Sequence, residues 1–206
     1  MKEITVLIAD DHAIVRMGLS ALLNADENIK VIGESDDGVD AVRKVEKLKP
    51  DIAIIDIMMP EMDGVSATRE IKKRFPNTKV LILTTSTVSD DFSRSLEAGA
   101  DGIVTKDTAN IKLLAAIRTI ASGKRFVPAT IAKKIALDPP VKQLTERQSK
   151  ILEMVTHGHT NADIAKAFSI QQDSVREHLD AIFTKIGAAN RAEAVGIALR
   201  KHLLKI

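Results

Sequence analysis

Five short apolar runs, ITVLIAD, IKVIGES, DIAIIDI, KVLILTT and GIVTK, alternate with segments of helical period along the first 122 residues. Runs this apolar suit strands buried on both faces, and helix-length connections between them require parallel pairing with right-handed crossovers. The spacing predicts helices around 13–24, 38–48, 65–74, 90–98 and 108–121. Gly99 and Gly123 stand where helix C-terminal glycines belong, and Pro50 and Pro76 fall between a helix and the next strand. The expectation is an α/β domain over 1–122: a five-stranded parallel sheet, doubly wound.

Beyond Gly123 the strand signal stops. Residues 123–143 hold three of the six prolines and five basic residues against one acid, which reads as a basic linker with a short helix at 130–137. From 144 to 206 the pattern is helical, with helices expected at 146–156, 161–168, 172–185 and 191–203. Three of these starts carry capping-box spacing: Thr145 with Gln148, Thr160 with Asp163, and Asn190 with Glu193. Charge supports the division. Residues 1–122 hold 16 Lys and Arg against 20 Asp and Glu, and the rest hold 14 against 8, so the net +2 conceals −4 and +6. Within the basic part, 144–206 contributes only +2, so charge alone says little about a polyanionic partner.

The absence of Cys excludes disulfides, thiolate zinc sites and cysteine nucleophiles, and the absence of Trp and Tyr argues against stacking of single-stranded bases. No apolar stretch approaches the roughly 20 residues of a membrane span, and the first strand begins without signal-peptide architecture. A cytoplasmic protein with no membrane partner is expected.

Ligands of open α/β sheets bind beyond the carboxyl ends of the strands. Asp10 and Asp11 follow strand one, Asp56 strand three, Thr84 strand four and Lys106 strand five. Clustered carboxylates repel unless a cation sits among them, and an all-oxygen set suits Mg²⁺. A carboxylate can attack phosphorus to form an aspartyl phosphate, a transfer that needs a metal and fixed donors for the equatorial oxygens. Asp56 is the expected nucleophile, Thr84 and Lys106 the donors, and Pro60 and Gly64 shape the loop beside it. His12, next to the acids, reads as a helix N-terminal bystander.

ADDH, IIDIMMPEMDG, LILTT and GADGIVTKD, in this order and at these intervals, resemble the receiver domain of bacterial two-component response regulators. The resemblance implies that Asp56 accepts phosphate from a sensor histidine kinase. It further implies that Asp11, Asp56 and the Met58 carbonyl bind Mg²⁺ directly, that Asp10 acts through water, and that Thr84 and Lys106 sense the phosphoryl group. The chain departs from the family three residues before the lysine, where Ile103 replaces the usual aromatic.

In LTERQSKILEMVTHGHTNADIAKAFSIQQDSVREHLDAIFTKIGAANRAEAV a short helix, a turn and a longer helix follow one another as in a helix-turn-helix. Val175, Leu179, Ile182, Phe183 and Ile186 recur at core spacing, leaving Arg176, Glu177 and Asp180 opposite. This part is similar to the DNA-binding domain of the LuxR, FixJ and NarL family through LTERQ, GHTNADIA, SVREH and NRAEA. By that resemblance Arg176 and Glu177 approach base edges, while Ser174, His178 and Lys185 touch phosphates or support the helix. Asp173 and Asp180 depart from the family's usual neutral or basic residues. Ala194, Val195, Ala198 and Leu199 form a small-residue stripe that is core, a homodimer interface, or both. His202 near the end of that helix is expected to be a cap charge.

The expected function is therefore a phosphorylation-regulated transcription regulator, binding promoter DNA as a homodimer. A phosphorylation-independent regulator or adaptor is the alternative, with Ile103 and the acidic helix in its favour. An aspartate-nucleophile phosphohydrolase of the haloacid-dehalogenase type would place its nucleophile after strand one in an Asp-x-Asp pattern, which this chain lacks.

Overall fold

The computed structural model describes residues 3–108, 110–142 and 144–204. They divide into two compact units: the first holds residues up to Thr87 and Asp91–Leu137, the second Val88–Asp90 and Asp138 onward.

The elements of the first unit run β1 (Ile4–Ala9), α1 (Ala13–Asn24), β2 (Ile29–Ser35), α2 (Gly38–Leu48), β3 (Ile52–Ile55), α3 (Gly64–Arg74), β4 (Lys79–Thr84), α4 (Ser89–Glu97, its first two residues counted with the second unit), β5 (Gly102–Thr105) and α5 (Asn110–Ala121). All strand pairs are parallel, in the order β2-β1-β3-β4-β5. The alternation of side chains along each strand builds two cores. Leu7, Ala53, Ile55, Val80, Ile82 and Ile103 face α2, α3 and α4, whereas Val6, Ile8, Ile54, Leu81 and Val104 face α1 and α5. The register places the ends of β1, β3 and β4 side by side, because Ala9 pairs with Ile55 and Ile55 with Ile82. The residues that follow these strands therefore share one edge of the sheet.

Part of the segment expected to be a linker belongs to this unit. Phe126 lies along the open edge of β5: its N–H donates to Asp101 O and its carbonyl accepts from Ile103 N, both at 3.0 Å. Next comes α6 (Ala129–Leu137), whose Ile131 is buried in the α2–α4 core, with Val127 and Ile135 packed beside it. Prolines and basic charge suggested a tether. Ile131 and Ile135 instead stand at i and i+4 on one side of α6, Val127 joins them from the segment before it, and an exposed parallel edge gains from being covered.

The second unit contains α7 (Glu146–Thr156), α8 (Asn161–Phe168), α9 (Gln172–Ile186) and α10 (Arg191–Arg200) around a core of Ile151, Leu152, Ile164, Val175, Leu179, Ile182, Ala194 and Ala198, among others. Two capping boxes form as the spacing predicts, at Thr145 with Gln148 and at Thr160 with Asp163. The third forms by half: Asn190 accepts from Glu193 N, but the Glu193 carboxylate turns to Ala189 N at 2.7 Å. The last helix stops at Arg200 rather than 203, because His202 adopts a left-handed conformation (φ 48°). Among the described residues no helix is long and apolar enough to cross a membrane.

Candidate functional site

Asp56 follows the last residue of β3 and is only 3% exposed. Its Oδ1 accepts from its neighbour's N–H, Ile57 N, at 2.8 Å, and its Oδ2 accepts from Lys106 Nζ at 2.9 Å. Lys106 follows β5, and its backbone N–H is held by Thr84 O at 2.8 Å, continuing the ladder past the strand ends. The same ammonium lies 2.6 Å from Asp10 Oδ2. That contact is an ion pair by distance but lacks hydrogen-bond geometry, so Asp10 Oδ2 has no donor aligned on it. Asp10 Oδ1 accepts from His12 N at 2.9 Å.

The loop after Asp56 is shaped by contact with backbone. Gly64 N donates to Ile57 O at 2.9 Å, and a Cβ on Gly64 would lie 2.0 Å from Asp56 O. Only glycine allows the start of α3 to pass this close to the acidic residue. Met58 is more than half exposed, two residues past Asp56 in that loop.

Burial pushes the Asp56 carboxyl above the usual carboxylate range; the Lys106 bond opposes this without cancelling it, and the Asp10 charge adds to the rise. Burial alone would lower the Lys106 ammonium, but the facing carboxylates of Asp10 and Asp56 outweigh that and hold it above the ordinary lysine value.

Asp10, Asp56 and Lys106 are thus in direct contact. Asp11, exposed at the rim, completes a set with Asp10, His12 and Asp56 whose ligand atoms all lie within 4.8 Å of one another. Three carboxylates, one with an oxygen lacking an aligned donor, suit a hard divalent cation such as Mg²⁺. His12 sits at the N-terminal cap of α1 without a side-chain cap bond, its Nδ1 2.6 Å from Asp11 Oδ1. Thr84 is fully buried, and its Oγ1 accepts from Ser86 N at 3.0 Å, which leaves the hydroxyl proton free for a further acceptor. One residue escaped the sequence reading: Arg16, which donates from Nη1 to Asp10 O at 2.6 Å and pairs with Glu34 at 3.7 Å. A basic side chain four residues past His12 on α1 is the signal that could have found it.

On α9, Val175, Leu179, Ile182 and Ile186 are buried, so Asp173, Arg176, Glu177 and Asp180 form the outward face. Arg176 Nη1 pairs with Asp173 Oδ1 at 2.8 Å across one turn. Ser174 and His178 are half-buried. Lys185 donates to Gln148 Oε1 on α7 at 2.8 Å and thereby braces the helix. In the small-residue stripe of α10, Ala194 and Ala198 are sealed in the core, because their side chains point into the α7–α9 packing, whereas Val195 is half-buried and Leu199 is 50% exposed.

Residues 6–118 match the response regulator receiver domain, and residues 142–198 match the luxR family of bacterial regulatory proteins. The oxygen regulatory protein NreC of Staphylococcus epidermidis is 34% identical over 215 residues, which cover 97% of this chain and 99% of that protein. Among solved structures, RcsB from Salmonella enterica serovar Typhimurium, bound to a promoter in the presence of phosphomimetic BeF3−, superposes with a TM-score of 0.69 at 26% identity over 98% of this chain and 100% of that one. Response regulator ChrA of a heme-sensing two-component system is 30% identical with a TM-score of 0.59, covering 99% of this chain and 100% of that one.

Fold and site together define the class, a receiver joined to a LuxR-type DNA-binding domain. The chain belongs to the two-component response regulators of this type, which are phosphorylation-regulated, DNA-binding transcription regulators rather than enzymes of metabolism.

Proposed function

We propose that Asp56 takes a phosphoryl group from the phosphohistidine of a sensor kinase and that this modification favours a homodimer gripping promoter DNA through α9. The observation that carries the reading is the buried Asp56 carboxylate, oriented by Ile57 N and Lys106 Nζ at the shared ends of β3 and β5. In the transfer, an Asp56 oxygen forms a bond to phosphorus as the phosphorus–nitrogen bond of the donor breaks, and the electron pair returns to the imidazole. Asp10, Asp11, Asp56 and the Met58 carbonyl would hold Mg²⁺, which supplies charge neutralisation for the transferring oxygens. Lys106 keeps its ammonium beside the reacting carboxylate, and the Thr84 hydroxyl keeps a proton to donate.

Phosphorylation can shift the equilibrium only through contacts that differ between the two states. With Ile103 fully buried in place of an aromatic, those contacts rest on Thr84 and Lys106. The same feature favours the second reading, a regulator that binds DNA without phosphate, which requires operator binding unaffected by Asp56→Ala.

Treated with acetyl phosphate and Mg²⁺, the intact protein is expected to gain one phosphoryl increment of mass. Asp56→Asn and excess EDTA should each abolish the gain. Labelling of the Asp56→Asn protein would end this assignment.

Stability gives an independent readout. A carboxyl whose folded pKa is raised stabilises the fold only while protonated, so its contribution is lost as pH rises from the ordinary carboxylate value through the raised one. At neutral pH without metal, Asp56→Asn is therefore expected to unfold at a higher temperature than the wild type. Mg²⁺ at ten times its dissociation constant should stabilise the wild type by about 1.4 kcal/mol and the variant by less.

The Asp173 carboxylate competes with DNA for Arg176. Asp173→Asn is expected to tighten binding to duplex DNA roughly threefold to tenfold and steepen its salt dependence by about one unit. Unchanged affinity by anisotropy titration would show that the pair is irrelevant to binding.

A further inference from the structure

The outward face of α9 is short of positive charge: Asp173, Glu177 and Asp180 surround a single arginine, already paired with Asp173. Such a face can read base edges, since carboxylates accept from cytosine N4, but it repels the phosphate rails. The affinity that counterion release gives to DNA-binding proteins must come from elsewhere on the chain.

The segment that closes the first unit carries such charge. Residues 124–137 contain Lys124, Arg125, Lys133 and Lys134 and no acid. All four cations are exposed, and none has an ion-pair partner among the described residues. Their backbone is fixed. Phe126 is bonded on both sides to the β5 edge, and Ile131 and Ile135 turn one side of α6 into the core, so Lys133 projects from the opposite side and Lys134 from the flank. A cation on an ordered element loses less conformational freedom on binding than one on a loose tether. Only residues 138–145 separate α6 from α7, a chain length of at most about 30 Å when extended.

We propose that the 124–134 face of the receiver unit, centred on Arg125, Lys133 and Lys134, is a second DNA-contacting surface that binds the phosphate backbone without reading sequence. The proposal rests on the reading of α9 as the helix that engages DNA. It assigns to the receiver a share of duplex affinity in addition to its role as phosphoacceptor.

The test uses the full chain, treated with beryllofluoride and Mg²⁺, in anisotropy titrations on a short random-sequence duplex from about 50 to 200 mM KCl. Arg125→Gln/Lys133→Gln/Lys134→Gln keeps the helix and removes three cations. The expected result is a slope of log affinity against log salt shallower by roughly 2 to 3 units, with an unchanged thermal unfolding midpoint. Lys112→Gln, an exposed lysine on α5, is expected to leave the slope near that of the wild type. A triple variant whose slope equals that of the wild type or of Lys112→Gln overturns the second surface while leaving α9 as the reader. Absence of any duplex binding by the wild type overturns both.

Discussion

Lys106→Met is expected to destabilise the protein by about 3–5 kcal/mol at neutral pH, the usual result of removing one partner from a buried ion pair. The lysine is the cation between two nearly inaccessible carboxylates, at 2.6 Å from Asp10 and 2.9 Å from Asp56. Methionine fills much the same volume, so the loss reports charge rather than a cavity. Three accompanying results distinguish this cause from general damage. The deficit should shrink at acid pH, because without the ammonium Asp56 holds a proton still more firmly in the folded state than in the unfolded one. Mg²⁺ should recover part of it. Asp56→Asn should raise the stability of Lys106→Met by more than it raises that of the wild type, a strongly non-additive cycle. Urea unfolding of the four proteins decides the matter; a single variant as stable as the wild type would show that the triad carries no such coupling.

Gly64→Ala should be nearly as damaging, by about 3 kcal/mol or more, although alanine is ordinarily the better helix residue. The added Cβ would stand 2.0 Å from Asp56 O, a backbone atom with no side-chain freedom through which to yield. Relief requires either that α3 withdraw or that the Asp56 peptide rotate, and the second moves the Asp56 carboxylate away from Lys106. Loss of stability should therefore come with loss of acetyl-phosphate labelling. Gly18→Ala, on the exposed side of α1 with nothing within 4 Å of the added atom, provides the contrast. There the substitution is expected to stabilise by about 0.5–1 kcal/mol and leave labelling intact. Equal and small effects at both positions would contradict the close approach at Gly64.

The acidic pocket was legible because strand ends are marked in the sequence: each apolar run stops at a polar residue, and parallel topology brings those stops to one edge. The partnership of Lys106 was not. Fifty residues separate it from Asp56, and nothing local says that its ammonium lies between two acids rather than in solvent. Arg16 was missed for a similar reason, since its role is a bond to the backbone of Asp10. The turn of Ala194 and Ala198 into the core illustrates a limit of helical stripes. A small-residue face packs equally well against its own domain or a second copy, and only the neighbouring helices choose.

By itself the sequence determined the two domain classes, the position of every strand and helix to within a few residues, and which strand-end carboxylates gather at one edge of the sheet. Apolar periodicity and capping residues act over a few positions, and their energies are set locally. Tertiary structure alone decided which charges meet and at what distance, where the edge of β5 finds its cover, and that 124–137 is anchored to the receiver rather than free. Those outcomes depend on contacts between residues far apart in the chain. Apolar residues such as Ile131 and Ile135 on one side of α6 encode that they must be buried but not against what.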